Sequence, residues 1–407
     1  ALHYFERMRV KGITPSAVTF ICILKACGST GAIDKGKEIH DMIIDRGLLE
    51  KDIMLGTALV DMYAKCGVID KAHQILEDLS ASDVVAWSAL IAGYAQQGKC
   101  HEALNCFESM QHEGLTPNEI TFICILKACG KVGAIEEGKK IHEHILRRSL
   151  LEKDIALGNA LVDMYVKCGV LIKAQEVLEE LHARNVISWS TVIVGYAQQG
   201  RCKEAMECFE RMQREGVSPD VVTFICILKA CGATRDIDKG KQIHYEIVNK
   251  GLLETDTVLG TALVDMYAKC GALAKAQEVL EKLRVRNVIS WSALITGYAQ
   301  RAQVDEALNC LDRMQSEGIA PNTVTFICIL KACGNTGSIE KGKQIHETFL
   351  RRGFLGEIVL GNALVDMYAK WGMLAKAQDV LEELPVRDIV SWNALITGYS
   401  KWGQGQE

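Results

Sequence analysis

Apolar side chains recur along this chain at the spacing of one helix face. Phe122, Ile125, Leu126 and Cys129 lie three or four positions apart, and residues 157–168 repeat the pattern. A glycine follows each such stretch, and glycine accepts the left-handed conformation in which many helices end. The pattern therefore predicts short helices that are joined by tight turns.

The helical pattern is itself repeated. The ten residues Thr-Phe-Ile-Cys-Ile-Leu-Lys-Ala-Cys-Gly begin at Thr19, Thr121, Thr223 and Thr325, so the period is 102 residues. Each period divides into three related pieces, and each piece has two apolar-periodic stretches and a polar turn. A two-helix unit of about 35 residues cannot bury both apolar faces alone, so neighbours must stack. The sequence predicts an all-α solenoid of helix-turn-helix repeats, with about ten complete hairpins and half a hairpin at each end.

Composition narrows the class of protein. The chain has 407 residues, of which 49% are hydrophobic and 24% charged, and this excludes a disordered or low-complexity chain. The net charge of −5 gives no overall positive charge that would mark a nucleic-acid binder. The longest stretch without a charged residue, 185–200, is polar, so no membrane span is expected. The 16 cysteines lie in apolar helical stretches and are expected to be reduced packing residues.

Three motif types alternate strictly. Ser391–Tyr399 and Glu102–Phe107 resemble the P motif of the pentatricopeptide repeat family. Thr121–Cys129 and Gly138–His142 resemble the L motif, and Gly361–Gly372 resembles the S motif. The tetratricopeptide signature matches poorly. The chain is similar to the plant PLS subclass of pentatricopeptide repeat proteins, and this resemblance implies a right-handed superhelix of stacked hairpins.

The resemblance divides the whole chain, 1–407, into a single array. Its motifs are partial P 1–16, L 17–52, S 53–83, P 84–118, L 119–154, S 155–185, P 186–220, L 221–256, S 257–287, P 288–322, L 323–357, S 358–388 and partial P 389–407. The exact repetition of ten residues four times favours a recent duplication or a consensus-designed array.

The resemblance also implies single-stranded RNA binding, with one base read per P or S motif by the fifth and last residues. The pairs are Thr57 with Asp83, Ser88 with Asn118, Asn159 with Asn185, Ser190 with Asp220, Thr261 with Asn287, Ser292 with Asn322, and Asn362 with Asp388. Aspartate only accepts hydrogen bonds whereas asparagine donates and accepts, so Asp suits guanine and Asn suits adenine. The implied core is 5′-GANYGNAANU-3′, in which N marks an L motif and the N-terminus lies toward the 5′ end.

The second residue of each P or S motif is expected to pack on a base. These residues are Met54, Val85, Ala156, Ile187, Val258, Ile289 and Val359. A second interpretation of the polar positions stays open, because Ser, Thr and Asn at a helix start are good N-caps whatever the function. Position 13 of every S motif is a lysine that either contacts phosphate or compensates the helix dipole. These lysines are Lys65, Lys167, Lys269 and Lys370.

The L motifs depart from this pattern. Their fifth residue is isoleucine, which cannot hydrogen-bond a base edge, so these motifs should not select a base. The residues are Ile21, Ile123, Ile225 and Ile327. The resemblance implies that L motifs contact an accessory organellar RNA editing factor of the MORF (RIP) family, and that the chain specifies C-to-U editing sites. The alternative function is a helical-repeat scaffold for protein–protein interaction that does not read bases.

No catalytic chemistry is evident in the sequence. The zinc deaminases that end some PLS proteins need Cys-x-x-Cys, and the chain has no such spacing. His142-Glu143-His144 lacks thiolate partners, and the triplet does not recur in the other repeats. We expect no catalytic residue, metal, cofactor, small-molecule substrate or membrane partner. The resemblance implies a chloroplast or mitochondrion, although the first residues are not a targeting peptide and resemble the middle of a helix.

Overall fold

The computed structural model describes residues 1–49, 52–79, 83–152, 154–254, 256–352 and 357–402, without the side chains of residues 152 and 349–352. The α-helices are α1 Leu2–Val10, α2 Ala17–Thr30, α3 Ile33–Asp45, α4 Ile53–Lys65, α5 Ile69–Asp78, α6 Val84–Gln96, α7 Cys100–His112, α8 Glu119–Val132, α9 Ile135–Arg147, α10 Ile155–Lys167, α11 Leu171–Glu180, α12 Val186–Gln198, α13 Cys202–Arg214, α14 Val221–Thr234, α15 Ile237–Asn249, α16 Thr257–Cys270, α17 Leu273–Lys282, α18 Val288–Gln300, α19 Val304–Ser316, α20 Thr323–Thr336, α21 Ile339–Arg352, α22 Ile358–Lys370, α23 Leu374–Glu383 and α24 Ile389–Lys401. A 3₁₀ turn, Leu150–Glu152, precedes α10.

The prediction of an all-α repeat solenoid is confirmed. The described residues form 24 α-helices and no strand. Helices α2 to α11 make five hairpins, and helices α14 to α23 make five more. No helix within these ranges combines the length and the apolar character that a membrane crossing requires.

Two compact units make up the chain, and each is built in the same way. Unit 1 comprises Ala1–Tyr196 and Met212–Ser218, and unit 2 comprises Ala197–Arg211 and Pro219–Glu407. Within unit 1 the first helices of successive motifs pack in the order α2, α4, α6, α8 and α10. Within unit 2 the corresponding order is α14, α16, α18, α20, α22 and α24. Equivalent positions of neighbouring first helices are therefore brought side by side within each unit.

The apolar stripes predicted from the sequence form the core of the stack. Phe122, Ile125, Leu126 and Cys129 are all buried, and the Phe122 ring packs on Phe107 of the preceding motif at an interplanar angle of 58° with ring centroids 6.2 Å apart. In the S motif the stripe is replaced at one point by Gly158. A Cβ there would lie 2.6 Å from Leu181 Cδ2, so the two helices of that hairpin approach closely. Position 4 thus holds a large ring in L motifs and no side chain in S motifs.

A glycine and a proline lie in the turns around α7 and α8, and only the glycine directly ends a helix. Gly133 follows α8 with a φ of 72°, the left-handed conformation that ends the helix. A proline commonly follows the end of a helix, so Pro117 would be expected to close α7, but that helix ends earlier, at His112. Pro117 instead lies buried in the following loop, where its carbonyl accepts a hydrogen bond from Arg148 Nη1 at 3.1 Å. The proline therefore belongs to the connection between two motifs.

Candidate nucleic-acid interface

Apolar side chains at position 2 of the first helices lie in solvent. Met54 is 56% exposed and Ile289 is 62% exposed, although most of the other apolar residues of their helices are buried. All the predicted base-packing residues are exposed: Met54, Val85, Ala156, Ile187, Val258, Ile289 and Val359. Their predicted contact with bases needs this exposure, because a base can pack only on a side chain that the fold leaves uncovered.

The L motifs present the same feature, which the sequence interpretation missed. Their position-2 residues are Val18, Ile120, Val222 and Val324, and all are more than half exposed. These residues could have been identified from the sequence, because they occupy the same position in their motif as the base-packing residues predicted in the P and S motifs. We call positions 2, 5 and 9 of a first helix, which fall three or four residues apart, the 2-5-9 face. The L motifs therefore have the apolar part of the 2-5-9 face but an isoleucine at its fifth position.

The last residue of every P and S motif caps the helix that follows. Asp220 accepts a hydrogen bond from the Thr223 backbone N–H at 2.8 Å, and Asn118 accepts one from the Thr121 N–H at 2.9 Å. The other last residues cap their helices in the same way: Asp83, Asn185, Asn287, Asn322 and Asp388. The N-cap interpretation therefore holds at these last residues but not at the fifth residues, because Ser88 and Thr261, for example, lie inside their helices and cap neither of them.

Capping occupies only one atom of each side chain. The caps all use Oδ1, which also receives the remaining side-chain bonds, such as that from the Thr223 hydroxyl to Asp220 at 2.6 Å. Within the described part of the chain, no partner contacts the second terminal atom. That atom is Oδ2 in aspartate, which accepts, and Nδ2 in asparagine, which donates. Capping and base reading are therefore compatible roles for the same residue.

Two S motifs join their fifth and last residues directly. Asn362 Nδ2 donates to Asp388 Oδ1 at 3.0 Å, and Asn159 Nδ2 lies 3.4 Å from Asn185 Oδ1. Hydrogen bonds from the Ser391 backbone, and then from the Asn362 amide and the Ser391 hydroxyl, hold the pKa of the Asp388 carboxyl below its ordinary value. Asp388 therefore stays an acceptor at neutral pH.

The P motifs use a relay through the next motif. Ser88 Oγ lies 2.6 Å from Thr121 Oγ1, and this threonine hydroxyl donates to Asn118 Oδ1 at 2.9 Å. Ser292 and Asn322 are joined in the same way through Thr325. These threonines open the repeated decapeptide, yet the sequence interpretation gave them no role. Their burial at 0% exposure places them as supports of the polar pair rather than as contacts for a ligand.

The other predicted pairs are less closely connected. Thr261 is buried and donates to its own helix at the Thr257 carbonyl, 2.9 Å away. Thr57 Oγ1 is buried and has no hydrogen-bond partner among the described residues. Ser190 belongs to unit 1 and Asp220 to unit 2, so each is described in its own unit. In its unit Ser190 donates to the Ile187 carbonyl at 3.1 Å.

One cavity shows how these positions can form a binding site. A cavity of about 510 Å³ in unit 2 is lined by Asn362, Asp388, Val359, Ile327 and Lys331, among others. It brings the predicted reading pair of one S motif together with an apolar position-2 residue and with residues of the preceding L motif. Asn362 Oδ1 is buried there and lacks a hydrogen-bond partner among the described residues. A residue with an unpartnered polar atom therefore belongs to the lining of this cavity.

The four lysines at position 13 of the S motifs are all paired with aspartate. Lys167 lies 2.6 Å from Asp163 one turn earlier, and its stem packs close to Gly130 of the L motif. The remaining three lysines, Lys65, Lys269 and Lys370, make the same ion pair at 2.7 Å. Each pair lies within one helix, so these lysines have a structural partner, and their contact with phosphate stays a prediction.

The fifth-position isoleucines of the L motifs are half-buried on their first helices. They are Ile21, Ile123, Ile225 and Ile327. Ile327 lines the cavity described above, next to the S-motif reading pair. The isoleucines therefore occupy the same helix position as the predicted base-reading residues, and their role as a surface for a protein partner stays a prediction.

Histidine and cysteine serve packing at the sites that were considered for metals. Burial lowers the pKa of His142 to about 4, and its Nδ1 lies 2.9 Å from the Tyr165 hydroxyl of the next motif. No group of three His, Cys, Asp or Glu side chains suited to a metal ion occurs within the described ranges. The 16 cysteines are free thiols, and all except Cys22 are buried or half-buried.

Models of repeat families match most of the chain. The PPR repeat family model matches residues 82–131, 184–233 and 286–335, and the pentatricopeptide repeat domain model matches residues 1–30. The PPR repeat model matches residues 57–84, 159–186, 261–288, 362–389 and 390–407. The chain belongs to the pentatricopeptide repeat family.

Curated relatives agree with this assignment. A mitochondrial pentatricopeptide repeat-containing protein of Arabidopsis thaliana is 33% identical over 94% of this chain and 68% of its own length. A chloroplastic one is 35% identical over 96% of this chain and 48% of its own length. A third Arabidopsis member is 35% identical, with coverage of 92% and 67%. The chain thus spans between about half and two thirds of these pentatricopeptide repeat proteins.

Solved structures show the same fold. The crystal structure of the maize pentatricopeptide repeat protein PPR10 covers 99% of this chain at 21% identity, with a TM-score of 0.61 and coverage of 64% of that chain. PPR10 in complex with an 18-nt psaJ RNA element covers 84% of this chain and 51% of its own, at 19% identity and a TM-score of 0.66. These likenesses concern the fold of the pentatricopeptide repeat solenoid.

Proposed function

We propose that this pentatricopeptide repeat chain binds single-stranded RNA in a sequence-specific way, one base per P or S motif. The observation that carries the proposal is that the two terminal atoms of the last side chain in each P or S motif have different surroundings. Oδ1 caps the next helix, and the second terminal atom stays available beside an exposed apolar residue. An apolar side chain for a base face and a polar atom for its edge are what single-stranded RNA recognition requires.

The free atom explains the choice of base. Oδ2 of aspartate only accepts, and it pairs with the Watson–Crick N–H of guanine or uracil. Nδ2 of capping asparagine only donates, so it pairs with the ring nitrogen acceptor of adenine or cytosine. The implied core 5′-GANYGNAANU-3′ follows this rule at each aspartate and asparagine. The rule also sharpens the pyrimidine at Asn185 to cytosine.

The relatives support the wider biological setting. PPR10 is described in complex with an RNA element, and two of the Arabidopsis relatives are named mitochondrial or chloroplastic. We therefore propose an organellar RNA-binding protein of the PLS subclass, of the kind that specifies C-to-U editing sites. The strict identity of its repeats is typical of a recently duplicated or consensus-designed array.

We further propose that the L motifs engage an accessory editing factor of the MORF type. Support comes from their isoleucines, half-buried at a position where other motifs place polar groups. Titration of matched RNA with and without the accessory protein tests this. A rise in RNA affinity is expected, because a ligand that favours the RNA-competent shape must strengthen RNA binding. An unchanged dissociation constant with the partner bound would end the coupling.

The first test compares RNA molecules of one composition. A mobility shift should show tight binding to an RNA with the 5′-GANYGNAANU-3′ core and weaker binding to a scrambled RNA. Equal affinity for both would remove base reading. A chain that binds the accessory factor but neither RNA would favour the alternative function, a helical-repeat scaffold.

The second test changes one atom. Asp220→Asn keeps the Oδ1 cap and replaces Oδ2 by an N–H donor, so the preferred base at that motif should shift from G toward A. The expected change is about 1–3 kcal/mol of discrimination, the usual scale of a base-edge contact. Asp154→Asn is the matched control, because Asp154 caps α10 in the same way at the end of an L motif. That control should leave base preference unchanged. A uniform loss of affinity for every RNA in Asp220→Asn would show a structural role instead.

A further inference from the structure

The L motifs carry a lysine at position 9, four residues after the isoleucine, and neither the sequence interpretation nor the base-reading pairs use it. These lysines are Lys25, Lys127, Lys229 and Lys331. Residues four apart share a helix face, so each lysine extends the 2-5-9 face of its motif. All four are exposed.

The charge on these lysines is not used within the fold. Each S-motif lysine is held by an aspartate of its own helix, as Lys167 is by Asp163 at 2.6 Å. In contrast, the L-motif lysines make no ion pair within the described ranges. Position 9 lies in the middle of a 14-residue helix rather than in its last turn, so compensation of the helix dipole does not account for them.

The surroundings of Lys331 point to a ligand. This lysine lines the 510 Å³ cavity together with Asn362 and Asp388. Asn362 is 8% exposed, and its Oδ1 lacks a partner among the described residues. Asp366 also lines the cavity, but its carboxylate is paired with Lys370 at 2.7 Å. The ammonium of Lys331 is therefore a cation without an ion-pair partner beside a polar pair that the fold leaves incomplete.

We infer that the position-9 lysines of the L motifs bind phosphate groups of the RNA backbone. The inference rests on the proposed function and assigns the L motifs a part in it. An L motif would hold its nucleotide by an apolar contact at position 2 and a charge contact at position 9, without reading the base. Phosphate contacts fix the register of a strand and carry no sequence information. Such contacts also explain how a chain with a net charge of −5 can bind a polyanion.

The test is a pair of fourfold variants with equal loss of charge. One carries Lys→Gln at Lys25, Lys127, Lys229 and Lys331. The control carries Lys→Gln at the second-helix lysines Lys37, Lys139, Lys241 and Lys343. Dissociation constants for the matched and the scrambled RNA are measured between 50 and 200 mM salt, roughly the range in which phosphate contacts dominate affinity.

The first variant should flatten the dependence of log K on log salt by about 0.7 per lysine, the scale for single strands. It should lower the affinity for both RNAs by the same factor, so the preference for matched RNA should remain. An unchanged slope, or an equal loss in the control variant, would overturn the inference. If the fourfold variant fails to fold, the single variant Lys127→Gln can be tested instead. It should reduce the slope of log K against log salt by about 0.7, and an unchanged slope would overturn the inference in the same way.

The outcomes separate this inference from the proposed function. If the parent chain binds both RNAs equally and the position-9 variant loses slope, base reading fails and the phosphate contacts stand. If the parent prefers matched RNA and the variant keeps its slope, base reading stands and the phosphate contacts fail. A parent chain that binds no RNA overturns both.

Discussion

The L motif at 119–154 and the S motif at 155–185 share a plan but use their polar groups in opposite ways. In the S motif Asn159 bonds to Asn185, and Lys167 is neutralised by Asp163 in the same helix. In the L motif the fifth residue is apolar, and Lys127 has no ion-pair partner within the described ranges.

On the two proposals above, this difference assigns base specificity to the S motif and a general charge contact to the L motif. A side chain that is already held by its neighbours has a fixed geometry and can discriminate between bases. An exposed lysine on a flexible stem acts as a point charge and binds any phosphate. On these proposals, the alternation of the two motifs separates recognition of sequence from general affinity along one chain.

The largest expected effect is on folding stability and comes from a substitution at position 4 of the L motif. Phe122 packs against Phe107, and the guanidinium of Arg148 lies 5.8 Å from its ring centroid. Phe122→Ala should lower the free energy of unfolding by about 3–5 kcal/mol, because it leaves a cavity in a fully buried site. Urea denaturation followed by circular dichroism measures the change. Phe122→Leu is the control and should cost clearly less, and a loss below about 1 kcal/mol for the alanine variant would contradict this account.

An intermediate effect converts the L motif into a reader. Ile123→Asn places an amide at the fifth position of a motif whose last residue, Asp154, caps the next helix. The result copies the Asn362 and Asp388 pair, so a preference for uracil of about 1–3 kcal/mol should appear at that nucleotide.

The measurement for this conversion is a set of four RNAs that differ only at the base opposite the L motif. Ile123→Leu is the matched control, since it keeps an apolar fifth residue and should leave the four RNAs equal. Four equal affinities for the asparagine variant as well would show that the L motif lacks the geometry for reading.

The smallest effect concerns the second helices. His142 of the L motif pairs with Tyr165, whereas Gln175 of the S motif accepts from the Tyr196 hydroxyl at 2.7 Å. Burial lowers the pKa of His142 to about 4 from its ordinary 6.5, so the unfolded chain binds the proton first as pH falls. The stability that this neutral histidine contributes is present above pH 6.5 and is lost as pH falls through 4.

His142→Gln should therefore leave stability near pH 7.5 almost unchanged and reduce the loss of stability on acidification. Denaturation midpoints at about pH 7.5 and about pH 4.5 test this, since the two values lie on either side of the ordinary pKa of 6.5, below which the unfolded chain takes up the proton. Tyr165→Phe removes the hydroxyl but keeps the histidine, so its acid sensitivity should persist. Equal acid sensitivity of the glutamine variant and the parent would exclude His142 as a source.

The fold could be predicted from the sequence because both the apolar stripe within each helix and the 102-residue repeat along the chain are regular. The stripe that contains Phe122 and Leu126 recurs every 102 residues, and a buried stripe in a short two-helix unit leaves stacking as the stable arrangement. The ends of the hairpins were less certain. Pro117 shows why, since proline prevents the preceding helix from continuing through it but does not fix how many residues earlier that helix ends.

The candidate site could be predicted only in part. The family resemblance pointed to the fifth and last residues, but it could not show that Oδ1 of Asp220 accepts a hydrogen bond from the Thr223 backbone. The relay through Thr121 was hidden because it joins residues 33 positions apart in different motifs. The pairing of Asp163 with Lys167 was visible in principle as an i, i+4 pair of opposite charge.

The cap at the end of each P and S motif has a consequence for how such arrays change over time. Aspartate and asparagine are nearly equal as helix N-caps, so their exchange leaves the helix start intact. The same exchange turns an acceptor into a donor at the free atom of Asp220 or Asn118. On the proposed function, an array can therefore acquire a new RNA target through single substitutions that leave its folding stability nearly untouched, and lineages can explore targets without first evolving a more stable scaffold.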